Sequence, residues 1–402
     1  MNRNRLPSWI NGAIDRVADS PMSPVGRLAA KRLGRASPTG SVPSTRFESR
    51  PIRLLIAPVN YSGQGTAWSR SLEAADPRIS ARSMAVEVPG GFSFDADLIV
   101  PVGTYHNDPD WQARQFEAAS RATHVLVEAE EPPFGRLMGR SVGRQVDALL
   151  TRGVDVAYLA HGTDVRLPSR HAELSEWSYY RDPSVYLPRA EKLAARNIAQ
   201  VTESGRCAFV STPDLLLDLP DARWCPVAVD PERWRTARSR RHADTPLRVI
   251  HAPSNPILKG TPLILPTLTK LQSEGIITYT LIQGIPSAEM PRVLADADVL
   301  LDQFRLGSYG VAACEAMAAG CVVVGQISQQ VRERVLEQSG HSLPIVEATP
   351  HSLENVLRKL AADPELSARR AAGIDFVMTL HDGRAAAHAM IDHWLSPPRT
   401  GK

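Results

Sequence analysis

Cysteine is scarce: Cys207, Cys225, Cys314 and Cys321 are the only four in 402 residues, and none falls in a CxxC or Cys/His metal spacing. That excludes a zinc-ribbon or dithiol-redox reading and favours reduced thiols inside core segments. Long apolar runs are missing too. The longest candidate, Val311 to Val324, is interrupted by Glu315 and falls short of the roughly 18 to 20 residues that span a bilayer. The opening MNRNRLPSWINGAIDR has no apolar stretch of signal-peptide length, so cytoplasmic residence is the expectation. The glycine loop GQGTAW, with Gly63 and Gly65, lacks the full G-x-G-x-x-G spacing and is weak ground for a dinucleotide.

What is present fits a soluble globular chain: 43% hydrophobic and 22% charged residues, long enough for two domains of ordinary size. The formal charge of +3 is unevenly spread. Residues 1–50 carry nine Lys or Arg against three acids, a net of +6, so the remainder is slightly acidic. This argues against nucleic acid as a partner of the folded body. The head itself, rich in Ser, Pro and Arg around RASPTGSVPSTRFESR, reads as a disordered tail, with loose attachment to an anionic membrane surface as its functional alternative.

From residue 51 short apolar runs alternate with helical ones. IRLLIAPV, SMAVEV, DLIVPV, THVLVEA and DVAYLAHGTDVR read as strands between helices, and this predicts right-handed crossovers and a parallel sheet over 51–234. A polar, basic stretch at 235–246 reads as a linker. A second series over 247–380 runs through LRVIHAPS, ITYTLIQG, VLLDQF, GSYGVAACEAMAAGCVVVG and LPIVEA, and residues 381–402 supply a last helix that can pack back on the first domain. The fold class expected is therefore α/β, two Rossmann-like doubly wound parallel-sheet domains facing an interdomain cleft, with ligands outside the carboxyl ends of the strands.

Within this frame Glu315 stands out, a carboxylate in an otherwise small and apolar helix behind the glycine loop GSYG. Burying it costs several kcal/mol unless a polar group meets it. Either a partner pairs with it, or it lines a cleft where a ligand arrives, or it is solvated on an outer face. HAPSNPILKGT places Lys259 and Gly260 at a strand-to-helix turn, where a cation and free N–H groups suit a phosphate. A carboxylate on the same sheet edge suits the two hydroxyls of a ribose.

GSYGVAACEAMAAGCVVV resembles the signature of the group 1, family 4-like retaining glycosyltransferases of the GT-B fold, HAPSNPILKGT their lysine loop and AHGTDVR (160–166) their histidine loop. The likeness runs in order from about residue 51 to 395. It implies that Lys259 binds the donor diphosphate, Glu315 the nucleotide ribose, and His161 the donor sugar near its anomeric carbon. Gly63, Gly65, Ser254, Gly260, Asp302, Gly307, Ser308, Tyr309 and Gly310 complete the donor-binding set. The sequence departs from that pattern at Gly307, where the family's first glutamate would stand, and at Ser254-Asn255-Pro256, where an arginine often precedes the lysine. Asp302-Gln303 are candidates to restore some of that polarity.

The implied activity is metal-independent transfer of a hexosyl group, with retention, from a nucleotide diphosphate-sugar to a cell-envelope glycan or lipid-linked saccharide. No cofactor is implied. The place implied is the cytoplasm, at the inner face of the membrane if the head attaches there. The alternatives are a nucleotide-sugar epimerase of similar fold, for which Glu128, Glu130 and Glu131 in EAEEPPFGR are the only acid/base candidates, and a catalytically silent nucleotide-sugar binder. Those three carboxylates otherwise read as a solvated loop. The two Asp-Ala-Asp triplets, at 95–97 and 296–298, read as turns before strands rather than metal ligands.

Overall fold

A computed structural model describes residues 3–38, 40–90, 94–234 and 245–396; apart from Thr245 and Pro246, the expected linker lies outside the described residues. Seven strands, β1 (Ile52–Ala57), β2 (Ile79–Glu87), β3 (Leu98–Pro101), β4 (His124–Glu128), β5 (Asp155–Ala160), β6 (Ala208–Val210) and β7 (Arg223–Trp224), form one sheet in the order β3-β2-β1-β4-β5-β6-β7. Five more, β8 (Leu247–His251), β9 (Ile277–Leu281), β10 (Val299–Leu301), β11 (Val322–Gly325) and β12 (Val346–Glu347), form a second, in the order β12-β11-β10-β8-β9. Every pairing is parallel. Leu54, Leu55 and Ile56 of β1 and Val322, Val323 and Val324 of β11 are buried as consecutive residues. Such runs are what helices on both faces of a sheet demand.

Strand order reverses between β1 and β4 in the first sheet and between β8 and β10 in the second. At such a switch point the connections leave on opposite faces and open a crevice at the strand ends, where ligands bind.

After Phe376 the chain crosses back to the first domain. Met390, Trp394 and Leu395 pack with Leu54, Ile56, Trp68 and Leu72 against the first sheet. The crossover is pinned by His381, whose Nδ1 donates to the Val227 carbonyl at 2.8 Å while Val229 N donates to the His381 carbonyl at 2.8 Å.

The head is the main departure from the sequence reading. It forms α1 (Ser8–Asp19) and α2 (Pro24–Lys31) and then an extended strap along the first domain. What composition could not show is how many bonds the strap finds on the body: Ser37 N to Thr104 Oγ1 at 2.9 Å, Thr45 N to Gln115 Oε1 at 2.9 Å, and Trp111 Nε1 to the Pro43 carbonyl at 3.1 Å.

Candidate functional site

At the first switch point His161 follows β5, and its Nε2–H donates to Glu128 Oε1 at 3.1 Å. Glu128 ends β4 fully buried, and its other oxygen accepts from Val59 N at 3.3 Å and Asn60 N at 3.0 Å. Trp68 stacks on the imidazole with centroids 5.7 Å apart, and Tyr61 meets it edge-on at 5.2 Å. Asp164 closes the turn behind it by accepting from His161 N at 2.7 Å and from Gly162 N. The ring is thus fixed on every side except Nδ1, which no described residue engages.

Gly65 lies where an added Cβ would crowd Asn60 Oδ1 at 3.2 Å and Ile56 Cγ2 at 3.3 Å, and would touch Glu128 Oε1 at 3.5 Å. Gly63 takes a left-handed φ of 73° at the N-terminus of the helix Gln64–Ala75.

The acidic loop after β4 is not solvated. Glu130 is 4% exposed, and neither carboxylate oxygen meets a donor among the described residues. Burial and the neighbouring Asp164 carboxyl hold its own carboxyl well above the usual range. Glu131 is the exposed member and pairs with Arg140 at 3.3 Å.

At the second switch point Lys259 Nζ lies 2.5 Å from Asp302 Oδ1 at the end of β10. Gly260, with φ of 80°, turns the chain into the helix Thr261–Ser273, whose first N–H groups share that edge. His251, which ends β8, ties the two together: Nδ1 donates to the Leu301 carbonyl and Nε2 accepts from Thr261 Oγ1, both at 2.8 Å. Desolvation lowers its pKa to about 4, which keeps the ring neutral. The position of His251 at the end of an apolar strand was its only sequence signal.

Glu315 sits in the helix Val311–Ala318, partly buried, and no described residue donates to its carboxylate. Burial raises its pKa to about 7, and the Arg233 guanidinium pulls weakly the other way. Burial holds the adjacent Cys314 thiol well above its usual range, with smaller contributions from the Asp302 and Glu315 carboxylates.

The rest of the expected donor set is divided. Gly307 has φ of 67°, a conformation in which the family's glutamate would be strained. The next helix begins after Gly310, not at Ser308, and nothing stands within 4 Å of where a Gly310 Cβ would be. Ser308 is 2% exposed, its hydroxyl among the groups that lower the pKa of the Asp214 carboxylate, and Ser254 is exposed in the lysine loop. Tyr309 is buried in the core, its hydroxyl donating to His381 Nε2 at 3.1 Å, so it braces the glycine loop from beneath instead of facing a ligand.

The aspartate triplets are not simple turns: Asp97 accepts from Arg70 at 2.5 Å and from Ser83 N at 2.8 Å, and Asp298 pairs with Arg248 at 2.8 Å and Arg370 at 2.5 Å. Their carboxylates anchor strand starts. The two halves of the cleft touch through Arg305–Asp182 at 2.8 Å and His171 Nε2 to the Leu306 carbonyl at 3.1 Å.

Two facing Rossmann-like domains of this kind, with polar groups at both switch points, make up the GT-B fold of glycosyltransferases. The chain is similar in fold to a sucrose-phosphate synthase from Thermosynechococcus elongatus (14% identity over 85% of this chain and 98% of that one, TM-score 0.56). It is likewise similar to the trehalose-6-phosphate synthase OtsA (12% identity, 86% and 99% covered, TM-score 0.53). A third match is HepE from Anabaena, solved with UDP and glucose (11% identity, 86% and 99% covered, TM-score 0.50). No protein-family model and no curated protein sequence matches the chain.

Proposed function

We propose that this protein transfers a sugar, of hexosyl type, from a nucleotide diphosphate-sugar to an acceptor hydroxyl, with retention and without a metal. The observation that carries the reading is Glu315: a half-buried carboxylate to which no described residue donates, in the helix after the β10 loop that bears Asp302, the partner of Lys259. Ribose hydroxyls are the donors it lacks. Lys259 and the start of the helix Thr261–Ser273 stabilise charge growing on the leaving diphosphate, and that phosphate takes the acceptor's proton. Across the cleft, His161 is locked against Glu128 and Trp68 to meet the sugar. The three structures named above, one of them holding UDP and glucose, support the class of donor. The acceptor we favour is a cell-envelope glycan or lipid-linked saccharide, met in the cytoplasm at the inner face of the membrane.

An epimerase reading needs a free carboxylate at the sugar. Of the three candidates Glu128 has both oxygens engaged and Glu131 pairs with Arg140, while Glu130, whose oxygens meet no donor among the described residues, is buried at 4% exposure.

The experiment is incubation with a panel of nucleotide sugars in the presence of a chelator and a mixed acceptor pool. Release of free nucleotide with a glycosylated product supports transfer. An altered sugar with intact nucleotide would identify an epimerase, binding without turnover a silent binder, and rescue of lost activity by magnesium or manganese would refute metal independence.

A further inference from the structure

α2 turns its amphipathicity inside out. Its buried residues are Gly26 and Ala30, four apart on one face, while Val25 is 57% and Leu28 60% exposed, with Leu33 just beyond at 48%. The small face is required by contact: a Cβ on Gly26 would meet the Ser20 and Pro21 carbonyls at 2.6 Å. On α1, Trp9 is 72% exposed; Gly12 and Arg16 follow at helical spacing, with open space around the Gly12 Cβ position. Large apolar side chains held outward by small ones underneath mark an interaction surface.

The surrounding charge has one sign. Asp15 and Asp19 are neutralised by Arg3, Arg189 and Lys192. Arg5, Arg16, Arg27, Lys31, Arg32 and Arg35 form no ion pair with a described residue, and all six are exposed.

The head also grips both borders of the acceptor side of the cleft. Arg136, in the loop after β4, donates to the Pro21 carbonyl. Asn4 Nδ2 donates to the Pro183 and Val185 carbonyls at 2.7 and 2.9 Å, next to the Asp182 that pairs with Arg305 across the cleft.

We propose that α1 and α2 are a built docking surface for an anionic bilayer, inserting Trp9, Val25, Leu28 and Leu33 between headgroups that pair with the surrounding cations. Such helices lie in the interface plane, with Trp favoured at headgroup depth. This sharpens the membrane placement proposed above and is separable from the transfer chemistry, since these residues touch neither switch point.

The test is flotation of the full chain with vesicles of phosphatidylglycerol and phosphatidylcholine, and with pure phosphatidylcholine, at low and high salt. We expect binding to the anionic vesicles, a salt-resistant fraction that the Trp9→Ser/Leu28→Ser/Leu33→Ser variant loses, and about fivefold weaker binding or more for each charge lost in Arg27→Glu/Lys31→Glu. Unchanged melting temperature and nucleotide-sugar affinity in the variants show that the fold and the donor site are intact. No vesicle binding by the full chain, or equal high-salt binding by the serine variant, overturns the proposal. So does a homodimer that the serine variant dissolves, because the face would then belong to a second copy.

Discussion

Around the first switch point every group on His161 except Nδ1 is held, by Glu128, Trp68, Tyr61 and Asp164, and the loops that do this are strained. Around the second, Glu315 meets no donor, and Asp302 Oδ2, Gln303 Oε1 and Gln326 Oε1 are buried without partners among the described residues. The non-glycine residues with left-handed φ make the same division: Asn60, Ser62, Ala129, Glu130, Met138 and Arg140 all follow β1 or β4, and none lies in the second domain among the described residues. Strain of this kind persists only where the surroundings over-determine it. The strained, preorganised wall is therefore the first, and on the second Glu315 has no donor among the described residues, the role that the proposed donor substrate would fill. The first domain also holds buried polar atoms that meet no partner among the described residues, Glu130 after β4 and Thr212 Oγ1 and Asp214 Oδ1 after β6, and burial lifts the Glu130 carboxyl well above its usual range.

The comparison breaks most visibly at Lys259. Replacing it with Ala is expected to lower turnover by about 10² to 10³-fold, as loss of a preorganised charge at a developing anion does, while Lys259→Arg keeps part of the rate. Asp302 is buried and Lys259 half-buried, so Ala alone also leaves Asp302 uncompensated and lowers the melting temperature. Adding Asp302→Asn should restore the melting temperature without restoring turnover. Recovery of both would show the lysine to be structural only.

Glu315→Gln should weaken nucleotide-sugar binding by about 1.5 to 3 kcal/mol, read by calorimetry, and leave the melting temperature unchanged or raised. The folded carboxyl has its pKa lifted to about 7 by burial, and in the proposed complex ribose hydroxyls would donate to its ionised form. Affinity in the parent protein should therefore rise about tenfold from pH 6 to pH 8. A flat profile, or the same slope in the glutamine variant, would detach the ribose from this residue.

Much of this was legible because it is local. Apolar runs spaced by helices predict both sheets, and a lone glutamate behind a glycine loop in an apolar helix marks Glu315 as a residue to explain. What could not be read depends on distant partners. Glu128 lies 33 residues from His161, and only the β4–β5 pairing makes them neighbours. Tyr309 belongs to a glycine motif, yet its hydroxyl reaches His381, 72 residues on, and so faces inward. The head looked disordered because its composition buries little, and its order comes from side chains of the body that meet its backbone.

His381 offers a smaller effect. Burial holds its pKa near 4, below the 6.5 of an unfolded histidine, so the unfolded chain binds the extra proton first as pH falls. Its contribution to stability is complete above pH 6.5 and is lost between there and pH 4, at on the order of 1 kcal/mol per pH unit. Thermal unfolding across that window should show the slope, and a His381→Gln variant should show less of it. An identical slope would assign the effect to His106 and His251, also held near 4 by burial.

The smallest effect asks whether the second wall can be completed by a side chain instead of a ligand. Gly307→Glu returns the family's missing carboxylate, but the backbone there has φ of 67° and the new Cβ would stand 3.4 Å from Ser328 Cβ. A left-handed conformation costs a non-glycine residue about 1 to 2 kcal/mol. Ser328 N donates to the Gly307 carbonyl at 2.8 Å, so relief by turning the loop would break a bond that holds it. Denaturant unfolding of the variant should show that loss, with no gain in nucleotide-sugar affinity. Tighter donor binding at unchanged stability would instead mean that the loop adapts, and that Gly307 is a replaceable departure from the motif and not a requirement of this fold.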